Sequence, residues 1–591
     1  MIYERVAALR KIMQRKKVDA YIIPTADFHQ SEYVGDYFKC REYMSGFTGS
    51  AGTLVITLDK AGLWTDGRYF IQAESQLKGS GITLYRMGEE DVPGIYDFLL
   101  EELPDGGCIG FDGRVISAKQ GENLERLADK KGGRIICDED LVDYIWKDRP
   151  KLSSEPAFLL SDEVTGESRL SKIAGIREKL IEDDIYAHII TSLDDIAWIL
   201  NIRGADVLYN PVVLSYLVIT ADSCILFIQQ DVLDESIQDI FAFEGIELRD
   251  YGSFFKYIST VRERVLIDKK RISFSVLKTL SAAKIIDADN PSMLMKAVKN
   301  EAEISGMRAA HIKDGLAVAR FMNWLKTNIG KMPITEISAA EKLEEFRKES
   351  EDYLMPSFET ISAYGSNGAI VHYAPTEKTN KKLETKSFLL VDSGGQYVNG
   401  TTDITRTYAL GELSCEQRLH YTAVVKGMLA LADAKFKYGC SGVNLDYIAR
   451  QYLWRLGLDY NHGTGHGVGF ILNVHEGPNG FRWREPSGNG AVLEPGMITS
   501  DEPGIYITDR YGIRIENLIL CTEKEKNEYG RFLGFEHLTM APVDLDAIDI
   551  SSMEREDVER LNNYHKLVYE ALSPYMSVEE RVWLGEYTRE I

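Results

Sequence analysis

Residues 387–408 read SFLLVDSGGQYVNGTTDITRTY. The run 387–392 is short, apolar and ends on a carboxylate, while 402–408 alternates polar and apolar side chains with the period of a strand. The pair Gly394 and Gly395 and the segment 397–400 lie between them. The reading is an antiparallel hairpin or meander in which Asp392 and Asp403 face each other from neighbouring strands at about 5 Å. Carboxylates that close raise each other's pKa, so the pair requires a cation or a proton between them. Taken singly, each aspartate also fits the commoner role of ending a strand or capping a turn.

Further along, residues 462–469 read HGTGHGVG, two histidines among four glycines. Glycine lets the backbone approach a site closely or adopt positive φ. A phosphate cradle is a poor match, because there is no GKS or GKT lysine and no GxGxxG in register. His466 is the candidate ligand and His462 a neighbour that contacts substrate or orients the site. His475 follows in NVHEGP (473–478), and His372 sits in SNGAIVHYAP (366–375). Glu502, in ITSDEPG (498–504), precedes a proline, which favours extended backbone. Glu516, in IRIENLIL (513–520), is read as mid-strand, with Arg514 as its salt partner if no metal is bound. A glutamate in so apolar a strand is costly unless paired or coordinated. Asp392, Asp403, His466, Glu502 and Glu516 thus form a set of hard oxygen donors with one nitrogen. That set suits Mn²⁺, Fe²⁺, Co²⁺ or Mg²⁺ better than a structural zinc. Two divalent ions balance four carboxylates, which predicts a two-metal hydrolase.

The chain has 591 residues, a length that predicts three or four domains, and a net charge of −23. That charge argues against nucleic-acid binding, which relies on clustered Lys and Arg. The seven cysteines form no CxxC pair, which predicts a reducing compartment. Charges interrupt the N-terminal segment, and no run of about twenty apolar residues occurs. The expectation is a cytoplasmic protein without a membrane span.

The first two parts read as diverged copies of one unit. AYII (20–23) and AHII (187–190) each follow a charged helical segment, and LVIT occurs at 54–57 and again at 217–220. Polar stretches near 150 and 290 predict domains at 1–150, 151–292 and 293–591. A long helix over 297–328, interrupted only by glycines, opens the third part. Acidic helices after about 545 form a tail that packs on this part or makes a dimer contact.

DSGGQYVNGTTDITRT, HGTGHGVG, NVHEGP, SDEPGIY and GIRIEN together resemble the motif set of the pita-bread metallopeptidases. DAYIIPTADFHQSEY, SGFTGSAGT, WTDGRYF and AVKNEAEISGMRAAHIKDG are similar to the long, three-domain cytosolic Xaa-Pro aminopeptidase subfamily. The resemblance spans essentially the whole chain. It implies an α/β (α+β) fold: two related creatinase-like α/β domains, then a pita-bread metallopeptidase domain with a helical extension. It implies that Asp392 binds one metal, that His466 and Glu502 bind the other, and that Asp403 and Glu516 bridge both. His372, His462 and His475 map to accessory histidines. Arg68, in DGRY, maps to an arginine that reaches toward the substrate channel; an ordinary ion pair is the competing reading. The implied cofactors are two divalent ions per subunit, manganese first, with cobalt, iron or zinc as alternatives. The implied partners are short peptides with N-terminal Xaa-Pro and a second copy in a homodimer, with no nucleic acid and no membrane. Glu502 is the candidate to take the attacking water's proton and pass it to the leaving nitrogen, with His475 and His372 hydrogen-bonding the substrate. Rival readings are a prolidase, a methionine aminopeptidase, an inactive peptide-binding module of the same fold, and a metal-free creatinase-like hydrolase.

Overall fold

The runs AYII and LVIT pair with each other, and they do so twice. In the first pair Ala20 faces Thr57 and Ile23 faces Leu54; in the second, Ala187 faces Thr220 and Ile190 faces Leu217, all antiparallel. The register is the same in both. The computed structural model describes residues 1–484 and 490–591, and the chain falls into two units, Met1–Met293 and Leu294–Ile591.

The first unit holds two six-stranded sheets. Numbered along the chain within each sheet, both have the strand order 4-3-2-1-5-6. In each, strand 2 pairs antiparallel with strands 1 and 3, and the remaining pairings are parallel. The repetition read from two four-residue matches therefore extends to whole-sheet topology. Equivalent helices, Ala118–Lys130 and Phe274–Thr279, follow strand 5 in each half and are capped by Ser117 and Ser273. They meet across a local two-fold relation: Ala118 N–H donates to Ile272 O, and Phe274 N–H donates to Ile116 O, at 2.8 Å each. Gly121 sits against the buried Phe274 ring, and a Cβ there would lie 2.2 Å from Phe274 Cδ2.

The second unit opens on helix Glu301–Asn328. It starts at Glu301, four residues later than read from sequence, because Asn300 caps it. The Asn300 side chain accepts from Ala302 and Glu303 N–H, and Glu303 returns a bond to Asn300 N–H. Its glycines do not interrupt it. They admit neighbouring backbone: a Cβ at Gly306 would meet Asn399 O at 2.4 Å, and one at Gly315 would meet Met540 O at 2.0 Å. Against this helix lies the predicted hairpin. Phe388–Ser393 pairs antiparallel with Ile404–Ala409, and Gly395–Tyr397 pairs with Gly400–Thr401 in the same register. The turn is made by Val398 and Asn399. Leu389, Val391, Ile404 and Tyr408 pack toward Phe321, Met322 and Leu325 of the helix. Strand alternation then turns Asp392, Thr405 and Thr407 to the opposite face. Every residue of both long strands is buried.

The tail forms helices Arg555–Leu572 and Val578–Tyr587. Leu561, Tyr564, Val568 and Leu572 join a core with Tyr421, Met428, Ile513 and Ile515. Of the two roles read for the tail, packing on this unit is what the structure displays. Among the described residues, no helix is long and apolar enough to cross a membrane.

The contact at Gly121 makes a sharp prediction. Gly121→Val drives its branched carbon into a ring that is 0% exposed and has no space to swing. Urea unfolding of the variant is expected to show a loss of about 1–3 kcal/mol or more; wild-type stability would contradict a close-packed junction between the two halves.

Candidate metal centre

The hairpin places two of the five predicted ligands. Asp392 ends the strand Phe388–Ser393, but its partner across the hairpin is Thr405, not Asp403. Asp403 lies two residues earlier, diagonal to Asp392 on the same face, so the expected directly opposed pair is corrected to a diagonal one. The offset follows from the register: Tyr397 pairs with Gly400 across the turn, which places Asp392 opposite Thr405 and Asp403 opposite Gly394. At Gly394 any Cβ would sit 2.0 Å from Thr402 O and 2.1 Å from Ser357 Oγ. The chain is pinched there, and Asp403 stands just before the strand that follows it.

His466 comes from the short pair Gly465–His466 with Gly480–Phe481. A Cβ at Gly465 would fall 1.8 Å from Ser500 O, and one at Gly467 would fall 2.1 Å from Glu476 O. None of the four glycines between 463 and 469 is at positive φ. They serve close approach alone, which answers the two roles left open by sequence. Ser500 Oγ accepts from His466 N–H (2.9 Å), and Glu502 N–H donates to Thr464 O (2.8 Å), so the histidine loop and the Glu502 strand are stitched together. Arg450, 0% exposed on helix Gly442–Trp454, grips the same loop. It donates to Tyr460 O and His462 O at 2.8 Å each, and to Asp446, which accepts from Thr464 Oγ1 (2.6 Å).

Glu516 is not mid-strand. It falls in the break between strands Tyr511–Arg514 and Asn517–Asn527, where its N–H donates to Thr405 O (3.0 Å). Its Oε2 accepts from Thr405 Oγ1 (2.7 Å). Arg514 is not its salt partner either. That guanidinium pairs with Asp392 and donates to Tyr506 OH (2.7 Å) and Thr405 Oγ1 (3.2 Å). The break at 515–516 turns Glu516 toward the hairpin and leaves Arg514 reaching past it.

These segments converge. Asp403, His466 and Glu516 offer ligand atoms within 4.8 Å of one another. His466 Nε2 is 3.4 Å from Asp403 Oδ2 and 3.6 Å from Glu502 Oε1. The other ring nitrogen, Nδ1, lies 3.0 Å from Gly467 O, a contact that places the proton on Nδ1 and aims Nε2 at the carboxylates. Burial raises the Asp392, Glu502 and Glu516 carboxyls above their ordinary range, and neighbouring carboxylates add to the rise; Arg514 opposes it at Asp392, and His466 and Arg514 oppose it at Glu502. Burial disfavours the His466 cation, yet its bond to Asp403 and the Glu502 charge outweigh this and raise it to about 9. Asp392 Oδ1 and Glu516 Oε1 are buried and meet no protein donor. Two unmatched carboxylate oxygens, a correctly turned imidazole and a surplus of negative charge fit divalent cations.

The accessory residues divide. His475 packs edge-on to His466, with ring centroids 4.3 Å apart. His462 is anchored by Nε2 to Tyr506 OH (2.8 Å) and Nδ1 to Gly463 O (2.7 Å). His372 is half-buried, next to Val371, whose carbonyl accepts from Arg514 (3.4 Å). Arg68 belongs to the other unit, where it clasps Asp66 through two bonds of 2.8 and 2.9 Å. Thr405, Tyr506 and Arg450 were not read from sequence. The TDITRT alternation carried a signal for Thr405, which shares a face with Asp403; the others carried none.

Two outcomes follow from this geometry. The ligands must lose protons to coordinate, so Mn²⁺ affinity of metal-stripped protein rises with pH until His466 is deprotonated at about 9. Titration calorimetry across pH checks this, and a flat profile contradicts it. Gly465→Ala forces its strand away from Ser500 O and is expected to weaken Mn²⁺ binding about tenfold or more, as displaced ligand supports do.

Comparison with known proteins covers the whole chain. Residues 305–523 match the model of metallopeptidase family M24, and 531–591 match the C-terminal region of peptidase M24. Residues 5–137 and 148–303 each match a creatinase/prolidase N-terminal domain. The chain is 39% identical to "Aminopeptidase P2" of Arabidopsis thaliana, over 100% of this chain and 88% of that one. It is 39% identical to the "Probable Xaa-Pro aminopeptidase P" of Laccaria bicolor, over 98% and 92%. Among solved structures it resembles the X-prolyl aminopeptidase of Caenorhabditis elegans, described as a cytosolic enzyme with a di-nuclear active site, at 35% identity and TM-score 0.96 over 100% of each chain. The chain belongs to metallopeptidase family M24, with two creatinase/prolidase N-terminal domains ahead of its metallopeptidase part.

Proposed function

We propose that the chain is an aminopeptidase that releases the first residue of short peptides with proline in second position, using two divalent ions held by Asp392, Asp403, His466, Glu502 and Glu516. The observation that carries this reading is the buried meeting of four carboxylates and one imidazole, with Asp392 Oδ1 and Glu516 Oε1 unmatched by any protein donor. The names of the relatives, and the di-nuclear site in the description of the nematode enzyme, support it.

In this reading Asp392, Asp403, His466, Glu502 and Glu516 would hold the two ions between them, with Asp403 and Glu516 as the shared ligands. A pair of such ions, when bound, polarises a carbonyl and makes water nucleophilic near neutral pH. The chain's own groups do the rest. Glu502 takes the proton of the attacking water on its carboxylate and gives it to the proline nitrogen. That nitrogen belongs to a tertiary amide without an N–H, so its departure depends on a proton delivered there. His475, set against the His466 ring, and His372, beside the segment Arg514 holds, donate to the substrate around the scissile bond. His462, locked to Tyr506, shapes the pocket wall.

Manganese fits the oxygen-rich donor set first, with cobalt, iron or zinc as substitutes. Family likeness supports a homodimer and a division at 1–150, 151–292 and 293–591. Seven free cysteines and the cytosolic description of the nematode relative support a cytoplasmic location.

A direct assay compares a tripeptide with proline second, the same peptide with alanine there, and an Xaa-Pro dipeptide, each with and without Mn²⁺. The expected outcome is metal-dependent release from the first substrate, little from the second, and a weaker rate on the dipeptide. Preference for the dipeptide would favour a prolidase instead. Asp403→Ala and Glu516→Ala should each abolish turnover and metal retention together; turnover surviving in either one refutes the bridging roles.

A further inference from the structure

The C-terminal helices supply none of the five ligands, yet one of their side chains reaches the back of the metal cage. Arg406 lies between Thr405 and Thr407 on strand Ile404–Ala409 but points the other way, away from the site. It is 1% exposed. Its Nη1 donates to Thr405 O (2.9 Å) and Glu516 O (2.6 Å), and its Nε donates to Pro542 O (3.1 Å). Its Nη2 donates among Asn517 Oδ1 (2.8 Å), Ala541 O (2.9 Å) and Tyr564 OH (2.8 Å). Among the described residues no carboxylate forms an ion pair with it. A buried cation of this kind is tolerated only when its donor fork is saturated by oriented dipoles.

Tyr564, on helix Arg555–Leu572, is the part of that shell the tail contributes. It is 1% exposed, and its hydroxyl also lies 2.9 Å from Ala541 O and 3.0 Å from Thr539 O. The guanidinium thereby joins three segments, at 516–517, 541–542 and 564. One of them is the backbone of Glu516. That residue is held at three points: its N–H by Thr405 O, its carbonyl by Arg406 and its Oε2 by the Thr405 hydroxyl.

We propose that Tyr564 is a positioning residue for the metal cage: through Arg406 it fixes the backbone of Glu516, so the C-terminal extension sets the affinity for metal. The inference rests on the metal reading above. Outer hydrogen-bond partners of metal ligands change affinity by about tenfold to a hundredfold when removed.

The test uses full-length Tyr564→Phe, which removes a single oxygen, beside Val568→Ala, which loosens the same helix in the same core without touching Arg406. Asn517→Ala removes a second acceptor of the guanidinium and reads the same link independently. Mn²⁺ titration calorimetry on metal-stripped protein is expected to show about tenfold weaker binding in Tyr564→Phe and Asn517→Ala. In Val568→Ala the affinity stays at the wild-type value while the thermal unfolding midpoint falls. In Tyr564→Phe the Mn²⁺ concentration for half-maximal peptide cleavage rises, and KM for the peptide at saturating Mn²⁺ stays unchanged. Wild-type Mn²⁺ affinity in Tyr564→Phe overturns the proposal, and so does an equal loss in Val568→Ala, which would mark general loosening. A wild-type chain that binds no divalent ion overturns the metal reading itself, an outcome distinct from either of these.

Discussion

Four carboxylates brought to one buried place impose the constraint on which the second unit depends. Each loses hydration on burial, and each raises the cost of ionising the others. The protein supplies two cationic answers, Arg514 at Asp392 and His466 between Asp403 and Glu502. Glu516 is left with one hydroxyl and an unmatched oxygen, and its carboxyl is pushed well up. Such an arrangement is far from a satisfied structural ion-pair network, and it is the electrostatic reason the site reads as a metal cage.

Holding the ligands there is a matter of layers. The central hairpin is buried on both faces, and strand alternation divides the work. Asp403, Thr405 and Thr407 line the site, while Ile404, Arg406 and Tyr408 form the back. The same guanidinium chemistry is used on either side with opposite logic. Arg514 faces the cage and meets a carboxylate; Arg406 stands behind it and meets only neutral acceptors. The histidine loop is held differently, by glycines that let Gly465 and Gly467 press against backbone and by Arg450 reaching in from a helix. A loop carrying candidate ligands must be rigid to present them, and contacts to backbone carbonyls supply that rigidity without engaging their side chains.

The first unit follows a separate economy. Two copies of one sheet topology meet through reciprocal backbone bonds between 116–118 and 272–274, with Gly121 making room for Phe274. Its one residue with a proposed chemical role, Arg68, is already satisfied by Asp66. Partly exposed ion pairs of this kind contribute little to stability, so the pair neither requires nor forbids a second role for the arginine.

The candidate ligand residues, the hairpin and the internal duplication were legible in the chain itself, because each depends on local pattern: period-two alternation, a carboxylate at a strand end, glycines around a histidine, a repeated apolar run. The N-terminal boundary of the long helix was missed through a local signal, the asparagine cap at Asn300, that was present and unread. The diagonal offset of Asp392 and Asp403 follows from the hairpin register, fixed where Tyr397 pairs with Gly400 across the turn. Which cation answers which carboxylate was decided only by tertiary structure. Arg514 and Asp392 are 122 residues apart, and Arg406 and Tyr564 are 158 apart. Near neighbours in sequence, such as Arg514 and Glu516, turn apart where a strand breaks. Local pattern sets what each segment offers, but pairing across such distances is chosen by the packing of whole layers, where every buried donor must find its acceptor at once.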